Sequence, residues 1–398
     1  MKIAVIGCGV GGQAAALFLH REGHAVEIFE RFPEARPIGA GLLLQPPGQA
    51  ALDELGLFRA LAPKGAHITR LFGCTTTQRI VLDLEYANHR TDYAGLGIHR
   101  AHLFEALHGA VQTVSLTVHL DSAIVDVEQT SRPTLITKSG AKHGPFDLVV
   151  VAEGAQSQLR KRLAPHARAP VYRFGALWAT CPDPHGRFAR TLWQKFEGPD
   201  KMIGVLPIGH APGSGDTQHV ALFWSLELDK FDEWRRAGLA PWKTELLSLW
   251  PEIAPLLDHI VDLEQLTLAS YYDVVVRPWR FGRCIFIGDA AHGTSPQLGQ
   301  GANLALVDAW TLAHALARQT DVDRALAGYE RMRRGHVGYY QLASRWLTPF
   351  FQSHNRALGA LRDAFMGPFC HLSATGDMMV TTLSGVRCLP FGLWQPPE

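Results

Sequence analysis

The sequence predicts an α/β protein with a parallel sheet, an inserted mixed or antiparallel sheet and a set of C-terminal helices. Residues 2–6 and 25–29 are short apolar runs on either side of an alanine-rich segment at 11–22, and this strand–helix–strand order requires a parallel sheet. Residues 170–228 contain many aromatic residues and Pro/Gly turns, which is typical of antiparallel strands. Residues 301–345 have helical periodicity.

The remaining elements follow from hydrophobic periodicity and from turn residues. Gly23 is expected to end the first helix as a C-terminal cap. Further strands are predicted at 66–85, 116–127, 133–138, 146–151 and 283–287, and helices at 47–62, 100–112, 241–258 and 301–345, the last interrupted at Gly328. The tail at 346–398 is aromatic, rich in Pro and Gly, and moderately helical.

Composition excludes several classes of protein. The formal net charge is +1, so we expect no nucleic acid partner and no attraction to anionic membranes. The six cysteines form no CxxC pair, which leaves zinc-ribbon and thioredoxin-like sites unsupported, and we expect no metal site. We also expect no membrane span, because no stretch of 18 or more uncharged apolar residues appears. We expect a cytoplasmic location, because scattered single cysteines fit a reducing compartment.

A glycine-rich turn follows the first strand. Gly7, Gly9 and Gly12 match GxGxxG, with a strand before and a helix after, and Glu30 closes the second strand. Gly9 would let a pyrophosphate approach the backbone, and the helix N-terminus would offer it free N–H groups. Glu30 could accept hydrogen bonds from ribose hydroxyls and would repel a 2′-phosphate. The turn therefore predicts a site for FAD or NAD and not for NADP.

A second glycine-rich segment, GDAAHGTSPQLGQGANLALVDA, spans residues 288–309. It follows a buried strand, so Gly288 and Asp289 are expected at the carboxyl edge of the sheet, where ligands bind in such folds. Asp289 could hydrogen-bond a chain of sugar-like hydroxyls. The loop from Pro296 leads into a helix near Ala302, whose positive end could stabilise negative charge on a flavin ring.

With these motifs in this order, the chain resembles the FAD-dependent aromatic hydroxylases of the para-hydroxybenzoate hydroxylase fold, the group A flavoprotein monooxygenases. The resemblance covers about residues 1–345, including the segment at 39–57 and an arginine in HRAHLFEAL. The residues predicted to bind FAD are Gly7, Gly9, Gly12, Glu30, Arg31, Arg100, Gly288, Asp289, Pro296, Gly299, Gln300, Gly301, Ala302 and Asn303. One motif, which in the family serves both FAD and NAD(P)H, departs from the family pattern, because Glu153 stands where the family has Asp and so keeps the charge on an arm that is one methylene longer.

The resemblance implies a reaction and a domain plan. NADH or NADPH would bind transiently and reduce FAD, and a C4a-hydroperoxyflavin formed with O2 would hydroxylate a small aromatic or heteroaromatic substrate. A discontinuous, Rossmann-like FAD-binding domain is predicted at 1–70, 96–169 and 270–345, and a substrate-binding sheet at 71–95 and 170–269. The segment at 346–398 is expected to pack on the FAD domain.

The substrate should lie between the flavin and the inserted sheet. Candidate lining residues are Trp193, Leu206, Phe223, Trp224 and Tyr272, with Pro296 against the flavin ring. Because side chains alternate along a strand, Phe223 and Trp224 must face opposite ways, so at most one of them lines a pocket. No residue is assigned as catalytic base.

Other interpretations stay open. The flavin could serve another oxygenation, by an epoxidase or an N-hydroxylase, whereas the WxWxIP motif of flavin halogenases is absent. The chain could instead be a non-oxygenase FAD or NAD oxidoreductase, or a flavin-bound interaction module. We expect a monomer or a homodimer. Two smaller expectations concern His292, as a local hydrogen-bonding group, and the basic run at 331–334, as a solvated helix face.

Overall fold

The computed structural model describes residues 1–37, 39–90, 92–390 and 392–397. The α-helices in chain order are α1 (Val10–Arg21), α2 (Pro46–Glu54), α3 (Phe58–Leu61), α4 (Arg100–Thr113), α5 (Gln158–Leu163), α6 (Phe231–Ala237), α7 (Leu239–Leu249), α8 (Ala254–Asp258), α9 (Asp289–His292), α10 (Gly301–Arg318), α11 (Val322–Phe351), α12 (Arg356–His371) and α13 (Ser373–Leu383). The first strands are β1 (Lys2–Ile6), β2 (Ala25–Phe29), β3 (Gly41–Leu44), β4 (Ala66–Ile68), β5 (Arg70–Thr75), β6 (Ile80–Glu85), β7 (Gly95–His99), β8 (Thr117–His119), β9 (Ile124–Glu128), β10 (Thr134–Thr137) and β11 (Lys142–His143). The others are β12 (Leu148–Val151), β13 (Phe174–Pro182), β14 (Thr191–Glu197), β15 (Lys201–His210), β16 (Gln218–Glu227), β17 (Thr267–Ala269), β18 (Arg280–Phe281), β19 (Cys284–Phe286), β20 (Arg387–Cys388) and β21 (Gly392–Leu393).

The parallel sheet has six strands in the order β18-β19-β12-β1-β2-β8. All its neighbours pair in parallel except β18 and β19, which form a hairpin. Ile6 lies beside Val151, and Val151 lies beside Phe286, so β1, β12 and β19 end at the same level. The α/β class with a parallel sheet is therefore confirmed, and three chain segments leave the sheet together at one edge.

The inserted sheet has seven strands in the order β17-β13-β16-β15-β14-β5-β6. Its strands pair antiparallel except β14 and β5, which run in parallel, so the expected mixed sheet is confirmed. One face packs on α7 and α8 in a core that includes Leu222 and Trp242. The other face packs on β3, α12 and α13 through residues such as Leu206.

Three small sheets complete the described strand structure. Strands β3, β7 and β4 form one, β9, β10 and β11 form the second, and β20 and β21 form the third. A methyl group built on Gly97 of β7 would lie 2.0 Å from the carbonyl oxygen of Pro207 in β15. The backbone of the β3-β7-β4 sheet therefore directly contacts the backbone of the inserted sheet. Only glycine permits such an approach.

The predicted break at Gly328 is wrong. Helix α11 runs for 30 residues straight through that position, and the chain instead leaves the helix between Arg318 and Val322. The Asp321 side chain accepts a hydrogen bond of 3.0 Å from the Arg324 N–H and so starts the new helix. A single glycine costs a helix about 1 kcal/mol relative to alanine, which packing on both sides of Gly328 outweighs.

The sequence predicts that the C-terminal segment packs on the FAD domain, but in the structure this segment packs on the inserted sheet as well. Helix α12 lies along β6, where a methyl group on Gly367 would meet the Ile80 carbonyl oxygen at 2.3 Å. The end of α13 returns to the first domain, because the Gln300 amide donates a hydrogen bond of 2.9 Å to the Leu383 carbonyl. The segment therefore bridges both sheets.

The expectation of a solvated basic face is wrong for Arg333. Its side chain is fully buried and donates from Nε to Asp308 Oδ1 at 2.7 Å. His292 lies 2.5 Å from Asp308 Oδ2, and the Gly288 N–H donates to the same oxygen at 2.8 Å. Burial alone would raise the pKa of Asp308, but the charges of His292 and Arg333 outweigh burial and hold this pKa well below its usual range. His292 thus has the hydrogen-bonding role that was predicted.

We expect Arg333→Ala to lower the free energy of unfolding by about 3–5 kcal/mol, because it leaves Asp308 buried without its partner. Arg331→Ala, at an exposed position on the same helix, should change it by less than about 0.5 kcal/mol. Denaturant titration measures both. The pKa of Asp308 is lower in the folded than in the unfolded protein. Ionised Asp308 therefore contributes fully to the free energy of unfolding above the pKa of an unfolded aspartate, and this contribution is lost as the pH falls. Equal effects of the two variants would contradict the assignment.

Candidate active site

The two glycine-rich segments meet at the edge where β1, β12 and β19 end. Ala305 of α10 is the point of contact, since methyl groups built on Gly11 and Gly288 would lie 3.2 Å and 3.1 Å from its Cβ. Helices α1 and α10 pack against each other along their length. The two motifs, although Gly12 and Gly288 are 276 residues apart in the sequence, therefore form one continuous site.

Both helices at this edge begin without a side-chain cap. Gly9, which precedes α1, has no side chain that could cap the helix, and the side chain of Gln300, which precedes α10, accepts no hydrogen bond from that helix. The first N–H groups of a helix lack partners within the helix, and they carry the positive end of its dipole. Two such ends side by side form a site for an extended anionic ligand.

The glycines of the first turn have different tasks. Gly7 has a φ of +105°, and a methyl group on Gly12 would lie 1.9 Å from the Gly7 carbonyl oxygen, so both are required by the fold. A methyl group on Gly9 would meet nothing within 4 Å. The space above Gly9 is therefore not needed by the protein itself, and it is open to a ligand.

Glu30 is held in place beside this turn. Its carboxylate accepts from the Cys8 N–H at 2.8 Å and from the Phe32 N–H at 3.1 Å. The remaining lone pairs can accept hydrogen bonds from ribose hydroxyls, as the sequence indicated. Arg31 is exposed next to it, with its guanidinium over the Phe32 ring at 4.7 Å.

Asp289 is exposed although Gly288 and Ala290 on either side are buried. Its carboxylate oxygen lies near Gly301, where a methyl group would come within 3.5 Å. Gly299 has a φ of +62° and closes the turn that starts at Pro296. The loop therefore presents one carboxylate and a series of backbone groups, those of Gly301 and Ala302 among them, to the groove.

Two side chains predicted to bind the cofactor are occupied by the protein. The Gln300 amide donates to Leu298 and Leu383 carbonyls at 3.0 Å and 2.9 Å. The Asn303 amide donates to Leu43 and Gly299 carbonyls, and its oxygen accepts from the Gln45 N–H. Their side chains already have hydrogen-bond partners within the protein, so these two residues can offer the cofactor only their backbone groups. Their side chains instead attach β3 and the C-terminal segment to the loop.

Arg100 begins α4 at the other side of the groove. A methyl group on Gly39 would lie 3.1 Å from its Nη1, and the Arg100 N–H donates to the Ala40 carbonyl at 3.0 Å. The exposed guanidinium thus lies against the 39–41 segment, between the two sheets.

Glu153, the departure from the family pattern, stabilises a turn. Its Oε2 accepts from the Ser157 hydroxyl at 2.6 Å and from the Leu159 N–H at 3.2 Å. Burial raises the pKa of Glu153, against the opposing effect of these hydrogen bonds. Arg160 of the same motif is also buried and donates to the Ala290 carbonyl at 3.1 Å, which connects this turn to the second glycine-rich segment.

The inserted sheet divides the predicted substrate residues between its faces. Phe223 and Leu206 lie on the face toward the FAD-binding segments. Trp193 and Trp224 lie on the opposite face, where Trp224 packs on Trp242 with ring centroids 6.4 Å apart. These two tryptophans were wrong as pocket candidates, because the alternation along β14 and β16 directs them into the core with α7.

Tyr272 is also directed elsewhere, since its hydroxyl accepts from the Gln156 amide at 2.8 Å. The residues at the groove are Trp178 and Tyr271, which sequence reasoning missed. The Trp178 indole N–H donates to the Tyr271 hydroxyl at 3.0 Å, and its ring packs on Phe223 at 4.8 Å. Alternation along β13 could have suggested Trp178, but no signal distinguished Tyr271 from Tyr272.

These features fit FAD. Two uncapped helix ends suit a pyrophosphate, the anchored Glu30 carboxylate suits a ribose, and Asp289 suits the hydroxyls between phosphate and ring. The Gln297 amide nitrogen, next to Pro296, is buried without a partner among the described residues, and it could donate to a ring placed there. Over the same described ranges, no group of histidine, cysteine or acidic residues could hold a metal ion, and no helix is long and apolar enough to span a bilayer.

Comparisons with known proteins agree with this geometry. The family model described as "FAD binding domain" matches residues 1–339. A putative 2-heptyl-3-hydroxy-4(1H)-quinolone synthase of Rhodococcus erythropolis is 29% identical over 86% of this chain and 87% of its own, and a 3-hydroxybenzoate 6-hydroxylase of Klebsiella oxytoca is 30% identical over 84% of each. The crystal structure of Klebsiella pneumoniae HpxO with FAD and uric acid has a similar fold, with a TM-score of 0.79 and 20% identity over 97% of each chain.

We expect Gly9→Asp to remove FAD and to leave the fold intact. The new side chain meets no protein atom, but its carboxylate would repel the phosphates at the positive helix end, lowering FAD affinity about tenfold or more. Flavin absorbance per protein and circular dichroism measure the two effects. The matched control is Gly109→Asp, at a position in α4 that is equally open.

Asp289→Ala should also reduce the flavin content, since the exposed carboxylate has no hydrogen-bond partner within the described parts of the chain. Release of FAD from purified protein by dilution is the measurement. Wild-type retention of FAD by both Gly9→Asp and Asp289→Ala would contradict the site.

Proposed function

Because this chain belongs to the FAD binding domain family, we propose that it is a FAD-dependent monooxygenase that uses NAD(P)H and O2 to hydroxylate a small aromatic or heteroaromatic substrate. The observation that carries the proposal is the close approach of the two glycine-rich segments at Ala305, where α1 and α10 begin without side-chain caps, together with the aromatic pair Trp178 and Phe223 on the inserted sheet. An NAD-dependent dehydrogenase that binds its cofactor at the first glycine-rich turn would need only the N-terminus of α1.

FAD supplies the redox chemistry that connects NAD(P)H, O2 and an aromatic carbon. The chain's own residues bind and orient. Glu30 and the N–H groups of α1 would hold the adenosine half, and Asp289 with the backbone of 299–302 would hold the flavin half. The free N–H groups that begin α10 would stabilise negative charge on the reduced ring.

The inserted sheet would place the substrate and exclude water. Phe223 and Leu206 belong to apolar clusters on the face toward the groove, and Trp178 borders both clusters. An apolar wall keeps the reacting centre dry, which matters because water promotes loss of activated oxygen as hydrogen peroxide. Helices α12 and α13 would close the far side of this wall, since Cys370, Val380 and Leu383 pack on it.

Two relatives suggest substrates to test. One is named as a synthase of a 3-hydroxylated 4-quinolone, and the other as a hydroxylase of 3-hydroxybenzoate. We propose substrates of the same size, one ring or two fused rings with an oxygen substituent. A monomer or homodimer remains our prediction for the assembly, although one similar structure is described as a tetramer.

The experiment measures NADH and NADPH oxidation by the FAD-loaded protein with and without 2-heptyl-4(1H)-quinolone, 3-hydroxybenzoate and phenol. We expect one compound to accelerate oxidation, with O2 consumed and one atom of isotope-labelled dioxygen found in the product by mass spectrometry. Accelerated oxidation with no labelled product would indicate an oxidase. NAD(P)H oxidation that continues beyond one equivalent per flavin without O2, with the added compound itself reduced, would indicate a dehydrogenase and contradict the proposal.

A further inference from the structure

Tyr271 lies where the chain returns from the inserted sheet to the first domain. Its carbonyl accepts from the Tyr172 N–H at 2.9 Å, which fixes the backbone between the two sheets. Its side chain reaches toward Trp178, which stands on the groove face of β13. Trp178 packs on Phe223 and borders the two apolar clusters on this face of the inserted sheet, so the Tyr271 hydroxyl lies on the same face.

The hydroxyl of Tyr271 has an unused proton. It accepts a hydrogen bond from the Trp178 indole at 3.0 Å, and within the described residues no acceptor receives its own O–H. Burial raises the pKa of Tyr271 to about 12, so the group stays protonated near neutral pH and cannot act as a base. Trp178 holds the oxygen in place, and the proton must therefore point to something other than Trp178.

The surroundings of this hydroxyl are aromatic and uncharged. Trp178 and Tyr271 are partly exposed, whereas Phe223 opposite Trp178 is buried. The side chains that alternate onto this face from Met202 to Ile208 and from Ala221 to Phe223 carry no formal charge. A flat apolar ring can therefore pack here, provided that its polar atom meets the one available donor.

We propose that the Tyr271 hydroxyl donates a hydrogen bond to the carbonyl oxygen of an uncharged, oxo-substituted heteroaromatic substrate whose ring packs on Trp178 and Phe223. This inference rests on the proposed function and narrows its substrate class. A carboxylate is a poor match, because a buried anion needs a paired cation and the strand side chains on this face carry no formal charge. A carbonyl needs only the single donor that Tyr271 offers.

The test is equilibrium binding to the FAD-loaded protein, measured without NAD(P)H by the change in flavin absorbance. The probes are 2-heptyl-4(1H)-quinolone and 2-heptylquinoline, which differ in the 4-oxo group and in the proton on the ring nitrogen, together with 3-hydroxybenzoate. For the wild-type protein we expect the quinolone to bind more tightly than either other compound. Tyr271→Phe should weaken quinolone binding about 10- to 100-fold and leave quinoline binding unchanged.

Two further variants separate recognition from folding. Trp178→Phe keeps the ring and removes the N–H that holds the Tyr271 oxygen, so it should weaken quinolone binding to a smaller extent and spare quinoline binding. Tyr339→Phe is the matched control, because its hydroxyl already has a partner in Thr382 of α13. It should bind both ring compounds as the wild-type protein does, with the same flavin content.

Several outcomes would overturn the inference. These are equal losses for quinolone and quinoline in Tyr271→Phe, no loss for either, tighter wild-type binding of 3-hydroxybenzoate, or no spectral change with either ring compound. Binding that depends on Tyr271 without oxygen transfer would instead reject the monooxygenase and keep this site. Oxygen transfer that does not depend on Tyr271 would do the reverse.

Discussion

The close approach of two helix ends at one sheet edge is the constraint on which the rest of this structure depends. Ala305 would contact a methyl group on Gly11 at 3.2 Å and one on Gly288 at 3.1 Å, so a side chain at Gly11 would push α10 away from α1, and one at Gly288 would push α10 away from the second glycine-rich segment. Because they begin together, their unpaired N–H groups face one groove. A site for both halves of a flavin dinucleotide follows from this packing more than from any single polar residue.

A buried charge cluster holds the second glycine-rich segment at that edge. Asp308 accepts the Gly288 N–H, and Arg333 from α11 neutralises it. Apolar side chains of the same volume could be equally stable, because desolvation offsets much of the gain of a buried ion pair. They could not accept the Gly288 N–H, so the cluster serves position more than stability. The long helix α11 thereby connects the loop beside the groove to the C-terminal segment.

One face of the inserted sheet packs in the core with α7 and α8, and the other face lies toward the FAD-binding segments. Alternation along β16 correctly separated Phe223 from Trp224, but it could not say which of them faced the groove. That depends on α7, which covers the Trp224 face, and on the register that sets Phe223 against Trp178. Tyr271 and Tyr272 lie in irregular chain, where no period applies, so only their partners in space distinguish them.

The sequence by itself determined the α/β class, the parallel sheet, the mixed inserted sheet and the strand ends that carry the two glycine-rich segments. These are local properties, because periodicity and glycine spacing act over a few residues. The tertiary structure alone decided that Arg333 is buried, that α12 lies on β6 and that Gln300 and Asn303 are bound by the protein. Each of these depends on a partner tens to hundreds of residues away, and only chain folding brings such partners into contact.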